Sequence, residues 1–197
     1  MCSSDLADHV GGVVGVTRGR RIGRVYVTAL DDPPGMRSWV QRQLSDATLE
    51  VMAYPGQFDI NGVTFRCLWP SRLITGRGSD ANNASVVLHV TSHGATFLFP
   101  GDAEPVAQEA MLTSLGPVDV LKVAHHGSAY QSANFAARLR PRFAVISVGE
   151  DNDYGHPAPA TIALYQVLGA IVLRTDRNGS VAFSVTPDGV VTAHGHT

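Results

Sequence analysis

Four short stretches of this 197-residue chain carry side chains able to bind a divalent metal or to move a proton. They are Asp8-His9 in ADHVGG, Asp102 in LFPGDAE, His125-His126 in KVAHHGS and His156 in NDYGHPAP. Imidazole and carboxylate together form the donor set that suits Zn²⁺, Mn²⁺ or Fe²⁺ rather than a soft copper site. The paired histidines weigh most. They follow the apolar run VDVLKVA, and burying two neighbouring imidazoles demands two sets of hydrogen-bond partners. The remaining histidines read as structural: His89 falls inside a strand pattern, His93 in a hairpin turn, and His194 and His196 in a loop near the C-terminus.

Each stretch either ends an apolar strand-like run or lies in the Gly-containing turn beyond one, where a strand gives a rigid base and a loop exposes the side chain. The elements that must position them follow from periodicity. GRVYVTAL predicts a strand, and Met36, Trp39, Val40 and Leu44 predict a helix after the DDPPG start signal. Residues 57–70 alternate about Asn61-Gly62, the signature of a hairpin with a type I′ turn. Ser71 to Asn83 reads as a polar loop, and SVVLHV and ATFLFP as a second hairpin. Beyond Asp102 the pattern changes to helix and strand in alternation: Pro105–Leu115 helix, VDVLKVA strand, Ser132–Leu139 helix, FAVISVG strand and Pro157–Leu168 helix. IVLRT, SVAFSV and GVVTAH then predict three strands broken by Asn178-Gly179 and Pro187-Asp188-Gly189 turns. Helices between strands on one side and antiparallel meanders elsewhere define a layered α/β (α+β) sandwich.

Composition adds limits. A length of 197 residues with 44% apolar content fits one domain with a substantial core. No apolar run reaches the roughly 20 residues that span a bilayer, so this segment reads as soluble. A net charge of −2 gives no bulk attraction to nucleic acid, and a polyanion partner must be held by a local patch or by metal ions. Cys2 and Cys67 form no CxxC pair, which removes a thiolate zinc site. Among 15 basic residues only Lys122 is Lys, a bias to which no mechanism attaches from sequence.

Taken together, ADHVGG, NNAS with FLFPGD, LKVAHHGS, and ISVG with NDYGHP resemble in order and spacing the metallo-β-lactamase-fold hydrolases, and within them the C-terminal domain of the ComEC-like DNA-uptake proteins of natural competence. The resemblance runs from Ala7 to about Val191. It implies an αββα sandwich that holds two divalent cations, zinc or manganese. Asp8, His9 and His156 would serve the second metal and Asp102 would bridge both, with a shared hydroxide as nucleophile. One of His125 and His126 would face the scissile phosphate as the catalytic group, and Asn83, Ser128 and Asn152 would hold the surrounding loops. The implied substrate is single-stranded DNA, contacted without regard to sequence; Arg72 and Arg77, in the loop before Asn82-Asn83, read either as solvated loop charges or as phosphate contacts. The implied setting is a bacterial inner-membrane protein whose channel domain belongs to the same polypeptide and whose hydrolase domain is extracytoplasmic. Two other readings stay open: a stand-alone small-molecule metallo-hydrolase and a catalytically incomplete fragment.

The chain departs from the family pattern at its start. Ser4, Asp5 and Leu6 occupy positions where relatives carry the first histidines of the HxHxDH-type motif, which leaves the first-metal site incomplete. The stretch from Val51 to Ser79 also lacks a histidine for the additional ligand that many family members carry. Residues 1–6 back-translate to a sequencing adapter and are read as a non-native scar. The domain proper then covers 7–197 and is expected to be truncated, lacking the N-terminal strands of its relatives.

Overall fold

The computed structural model describes residues 7–44 and 46–196, with the backbone alone at Ala7, Asp8 and His196. Residues 1–6, and with them the expected scar, lie outside the described residues.

The chain builds a seven-stranded mixed sheet in the order β3-β4-β5-β6-β7-β8-β9. β3 (Gly56–Ile60), β4 (Val63–Trp69), β5 (Val87–Ser92) and β6 (Ala95–Phe99) form an antiparallel meander. Its first and third turns are Asn61-Gly62 and His93-Gly94, all four at positive φ, as two-residue hairpins require. From β6 onward the pairing is parallel, through β7 (Val120–Lys122), β8 (Phe143–Ile146) and β9 (Ile171–Arg174).

Alternation along these strands separates two faces. Leu98, Leu121, Ala144 and Val172 point to the principal core, which Phe135, Leu139 and Tyr165 complete. Those three come from the helices Ala133–Leu139 and Pro159–Val167, which with Pro105–Ala110 lie on that face. The residues between, Phe97, Val120, Phe143 and Val145, point the other way, toward Phe183, Val185, Val191 and Ala193 of the antiparallel pair β10 (Ser180–Val185) and β11 (Val191–His196). On the same face sits a parallel pair, β1 (Arg24–Val27) with β2 (Thr48–Val51). Tyr26 of β1 turns to the main sheet while Val25 turns to Val40 of the Met36–Gln43 helix and to Leu44 just after it. Helix, strand pair, main sheet and helices therefore stack as α-β-β-α, the expected layering.

Local differences from the sequence reading have physical causes. β2 was not predicted: it is four residues long and pairs in parallel with a strand two dozen residues earlier, leaving no local turn signal. The 71–83 loop ends in a helical turn, Asp80–Asn83, which the Ser79 hydroxyl caps by accepting from the Asn82 amide. The predicted 105–115 helix breaks after Ala110 and resumes as a tight turn over Leu112–Ser114. His194 and His196 are strand residues of β11 rather than loop residues, because pairing with β10 runs on to Ser180↔His196.

Candidate metal centre

All parallel strands end at one edge of the sheet, and three of the four chemistry-bearing stretches leave from that edge, the place where α/β sheets gather functional loops. Asp102 follows β6, His125 and His126 follow β7, and the loop carrying His156 follows β8. The fourth stretch arrives from outside the sheet on the helical turn Ala7–Val10, which brings His9 to the same edge.

His9 Nε2 lies 2.8 Å from Asp102 Oδ2 and 3.4 Å from His126 Nε2, while His126 Nε2 lies 3.7 Å from Asp102 Oδ1. One donor atom from each of the three falls within 4.8 Å of the others. Asp8 belongs to the same helical turn, but its side chain is outside the described residues. His156 is not a member of the trio. Its ring meets that of His125 edge-on, with centroids 5.6 Å apart.

Backbone conformation aims the two adjacent imidazoles apart. His125, His126 and Gly127 all have positive φ, at 48°, 51° and 78°. Left-handed backbone in a non-glycine residue carries a cost of about 1–2 kcal/mol, and strain of this kind persists where surrounding contacts over-determine it. Those contacts are present: the His125 amide donates to Gly101 O, the Ser128 amide to His125 O, and the Ala158 amide to Gly127 O. Gly127 admits no side chain, since a Cβ there would lie 2.7 Å from Pro157 Cβ.

The second nitrogen of His126 defines its tautomer. Nδ1 lies 2.8 Å from the Ser147 carbonyl, which only accepts, so Nδ1 carries the proton and Nε2 is left to serve as a ligand atom. Burial pushes the Asp102 carboxyl up, but the hydrogen bond and charge of His9, with the charges of Lys122 and His126, hold it below the ordinary carboxylate range. Burial, aided by His125 and His126, lowers the His156 imidazole, which keeps it neutral at pH 7.

The donor set fits a divalent cation on two further observations. Asp102 Oδ1 is buried with no hydrogen-bond partner, and such an atom is uncommon unless an ion or a solvent molecule satisfies it. Two imidazoles and a carboxylate are also the ligands of three-residue sites that keep a position open for chemistry.

Asn152, Ser128 and Asn83, the residues expected to hold the loops, each make hydrogen bonds that involve loop backbone. Asn152 clasps the His156 loop by donating to Gly149 O and His156 O and accepting from the His156 amide. Ser128 O accepts from the Thr161 hydroxyl, joining the paired-histidine turn to the start of the Pro159–Val167 helix. Asn83 is fully buried and donates to Arg77 O, while its carbonyl accepts from the Trp69 indole. Arg72 and Arg77 are exposed, and Arg72 lies over the Trp69 ring. Sequence reasoning passed over Ser85, whose hydroxyl accepts from the Asp102 amide, and Ser147, which anchors His126. It also drew nothing from Lys122, which lowers the Asp102 carboxyl; being the sole lysine was the one available signal.

His9, Lys122, His126 and Ser147 also line a cavity of about 840 Å³. Its walls are mostly apolar, with Tyr26, Phe58, Phe65 and Leu88 among them.

A sandwich of this layering with a histidine–carboxylate centre at the strand ends defines a metallo-hydrolase-type α/β protein. The chain belongs to the metallo-beta-lactamase superfamily, whose family model matches residues 7–149. It is similar to ComE operon protein 3 of Bacillus subtilis, with 26% identity over 89% of this chain and 23% of that protein. It is also similar to competence protein ComA of Neisseria gonorrhoeae, at 34% over 66% of this chain and 19% of the relative. Recombination protein 2 of Haemophilus influenzae matches at 33% over 49% of this chain and 12% of its own length. The chain thus spans less than a quarter of the curated relatives it matches. Among solved structures, CmlA, a diiron beta-hydroxylase from Streptomyces venezuelae, aligns with a TM-score of 0.58 at 14% identity, covering 87% of this chain and 42% of its own. The metallo-beta-lactamase fold protein YhfI from Bacillus subtilis aligns at 0.52 and 10% identity, covering 95% and 73%. These two likenesses concern the fold. Among the described residues no helix is long and apolar enough to cross a membrane.

Proposed function

We propose that this chain is the metal-dependent hydrolase domain of a ComEC-like DNA-uptake protein and that it cleaves phosphodiester bonds of single-stranded DNA without sequence preference. The observation that carries the reading is the convergence of His9, Asp102 and His126 at the carboxyl edge of the parallel strands. The names of the relatives, which include a competence protein and a recombination protein, favour DNA over other phosphodiesters. In this reading the parent is an inner-membrane protein with a channel domain, and this domain works outside the cytoplasm.

His9 and His126 offer Nε2 and Asp102 its carboxylate to a divalent cation, zinc or manganese, and Asp8, on the same helical turn as His9, stands where the family pattern adds a further ligand. A bound divalent cation supplies Lewis-acid activation of water near neutral pH. His125 stands beside this trio, its ring 6.5 Å from that of His126, and its role is to donate a proton to the leaving oxygen. His156, neutral and edge-on to His125, orients that ring and adds a hydrogen bond to the phosphate. Asn152 and Ser128 keep the two loops in register during turnover.

The test is cleavage of a labelled single strand by the purified chain and by its longer parent with manganese or zinc, beside the Asp102→Ala variant. Metal-stimulated cleavage that the variant lacks supports the reading. Intact DNA beside rapid hydrolysis of a small ester or lactone supports the second reading, a small-molecule hydrolase. The mostly apolar cavity that His9 and His126 help to line favours that alternative. Binding of less than one metal per chain by both forms would leave a non-catalytic remnant.

A further inference from the structure

The histidines of the centre continue outward into an exposed aromatic ring. Tyr154 stacks on His156, with centroids 6.2 Å apart and planes 22° from parallel, and is itself 84% exposed. Tyr130, 66% exposed, follows two residues after Ser128 on the loop that Gly127 and Ser128 bond to the start of the Pro159–Val167 helix. These are the two most exposed aromatic rings among the described residues, while Trp69, Phe135 and Tyr165 are fully buried. Both open rings therefore stand on the loops that carry His125 and His156, and the outer face of Tyr154 is uncovered.

We infer that Tyr154, assisted by Tyr130, is a stacking platform for unpaired nucleobases, which positions the adjoining phosphodiester at the His125–His156 pair. The inference rests on the nucleic-acid reading above and extends it to how the strand is gripped. The net charge of −2 gives no bulk attraction to a polyanion, so stacking on ring faces adds affinity per nucleotide that the overall field does not supply. Every base has a π-face, so stacking tolerates any sequence. Bases inside a duplex are already stacked on one another, and the same contact therefore selects the single strand.

The test compares binding of the full chain to fluorescein-labelled oligothymidylate and to an abasic strand of the same length and phosphate count, by anisotropy in EDTA. The wild-type chain should bind the base-bearing strand roughly fivefold or more tightly. Tyr154→Ala should bring that ratio toward one, and Tyr154→Trp should restore it, with circular dichroism checking that each variant is folded. An equal affinity for the two strands in the wild type, including no binding to either, overturns the inference, as does a ratio unchanged in Tyr154→Ala. The readout needs no metal and no cleavage. A chain that discriminates bases yet cleaves nothing with manganese keeps the platform and loses the hydrolase reading. One that cleaves abasic and base-bearing strands alike, without discrimination in binding, does the reverse.

Discussion

His9 Nε2 and Asp102 Oδ2 meet at 2.8 Å across 93 positions of sequence, with only 6% and 1% of their side-chain surfaces exposed. A contact of such sequence separation exists only in the folded chain, so metal affinity and folding are one equilibrium. Saturating zinc or manganese should therefore raise the melting temperature, by about 2.7 kcal/mol of stabilisation at a hundredfold excess over Kd. In Asp102→Asn that rise should disappear, and metal affinity measured by calorimetry should fall by at least ~10-fold. An unchanged affinity would remove Asp102 from the centre.

His125 and His126 are neighbours with separable duties. His126→Gln should weaken metal binding, since Nε2 of His126 faces Asp102 and His9. His125→Gln should keep metal content and lower the cleavage rate by about 10²–10⁴-fold, the usual worth of a general acid. Metal analysis beside single-turnover kinetics on both variants checks the assignment, and the reverse pattern would exchange the two roles.

Gly127→Ala should destabilise the fold by about 1–3 kcal/mol in chemical denaturation. Its φ is +78° and the added Cβ would meet Pro157 Cβ at 2.7 Å and Ile146 Cγ2 at 3.1 Å. Because the strained histidines precede it directly, this variant should lose metal affinity along with stability. A fully stable Gly127→Ala would mean that the turn adopts another conformation.

His89 supplies a pH dependence away from the centre. Burial, with the Arg66 charge, holds its imidazole below the ordinary 6.5. Below that value the unfolded chain takes up a proton that the folded chain refuses until its own lower pKa is reached, so stability falls as pH drops through this window. Thermal melts between neutral pH and pH 5 should show a shallower loss in His89→Gln than in the parent chain. Parallel loss in both would place His89 in water.

Much of this arrangement is legible in the sequence. Asn61-Gly62 announced its hairpin because few dipeptides accept two positive φ values, and the turn has both. The apolar runs before Asp102 and His125-His126 fixed those residues at strand ends, and the sheet placed the ends side by side. Positive φ at His125 and His126 was not legible, since neither residue type demands it. Nor was the part of Ser147, which acts through a backbone carbonyl that any residue possesses. β2 and the last residues of β11 depend on partners distant in sequence, and local pattern carries no record of them.

The parallel pairing of Leu98 with Leu121 has a consequence for sequence drift. Asp102 stands four positions beyond the first and His125 four beyond the second, with the His125 amide tied to Gly101 O. Neither connection holds slack, so inserting or deleting a single residue in 99–101 or 122–124 would rotate a ligand out of reach of the others. Length variants should instead accumulate in the 71–78 loop and the Pro187-Asp188-Gly189 turn, where backbone can be added without moving any donor atom.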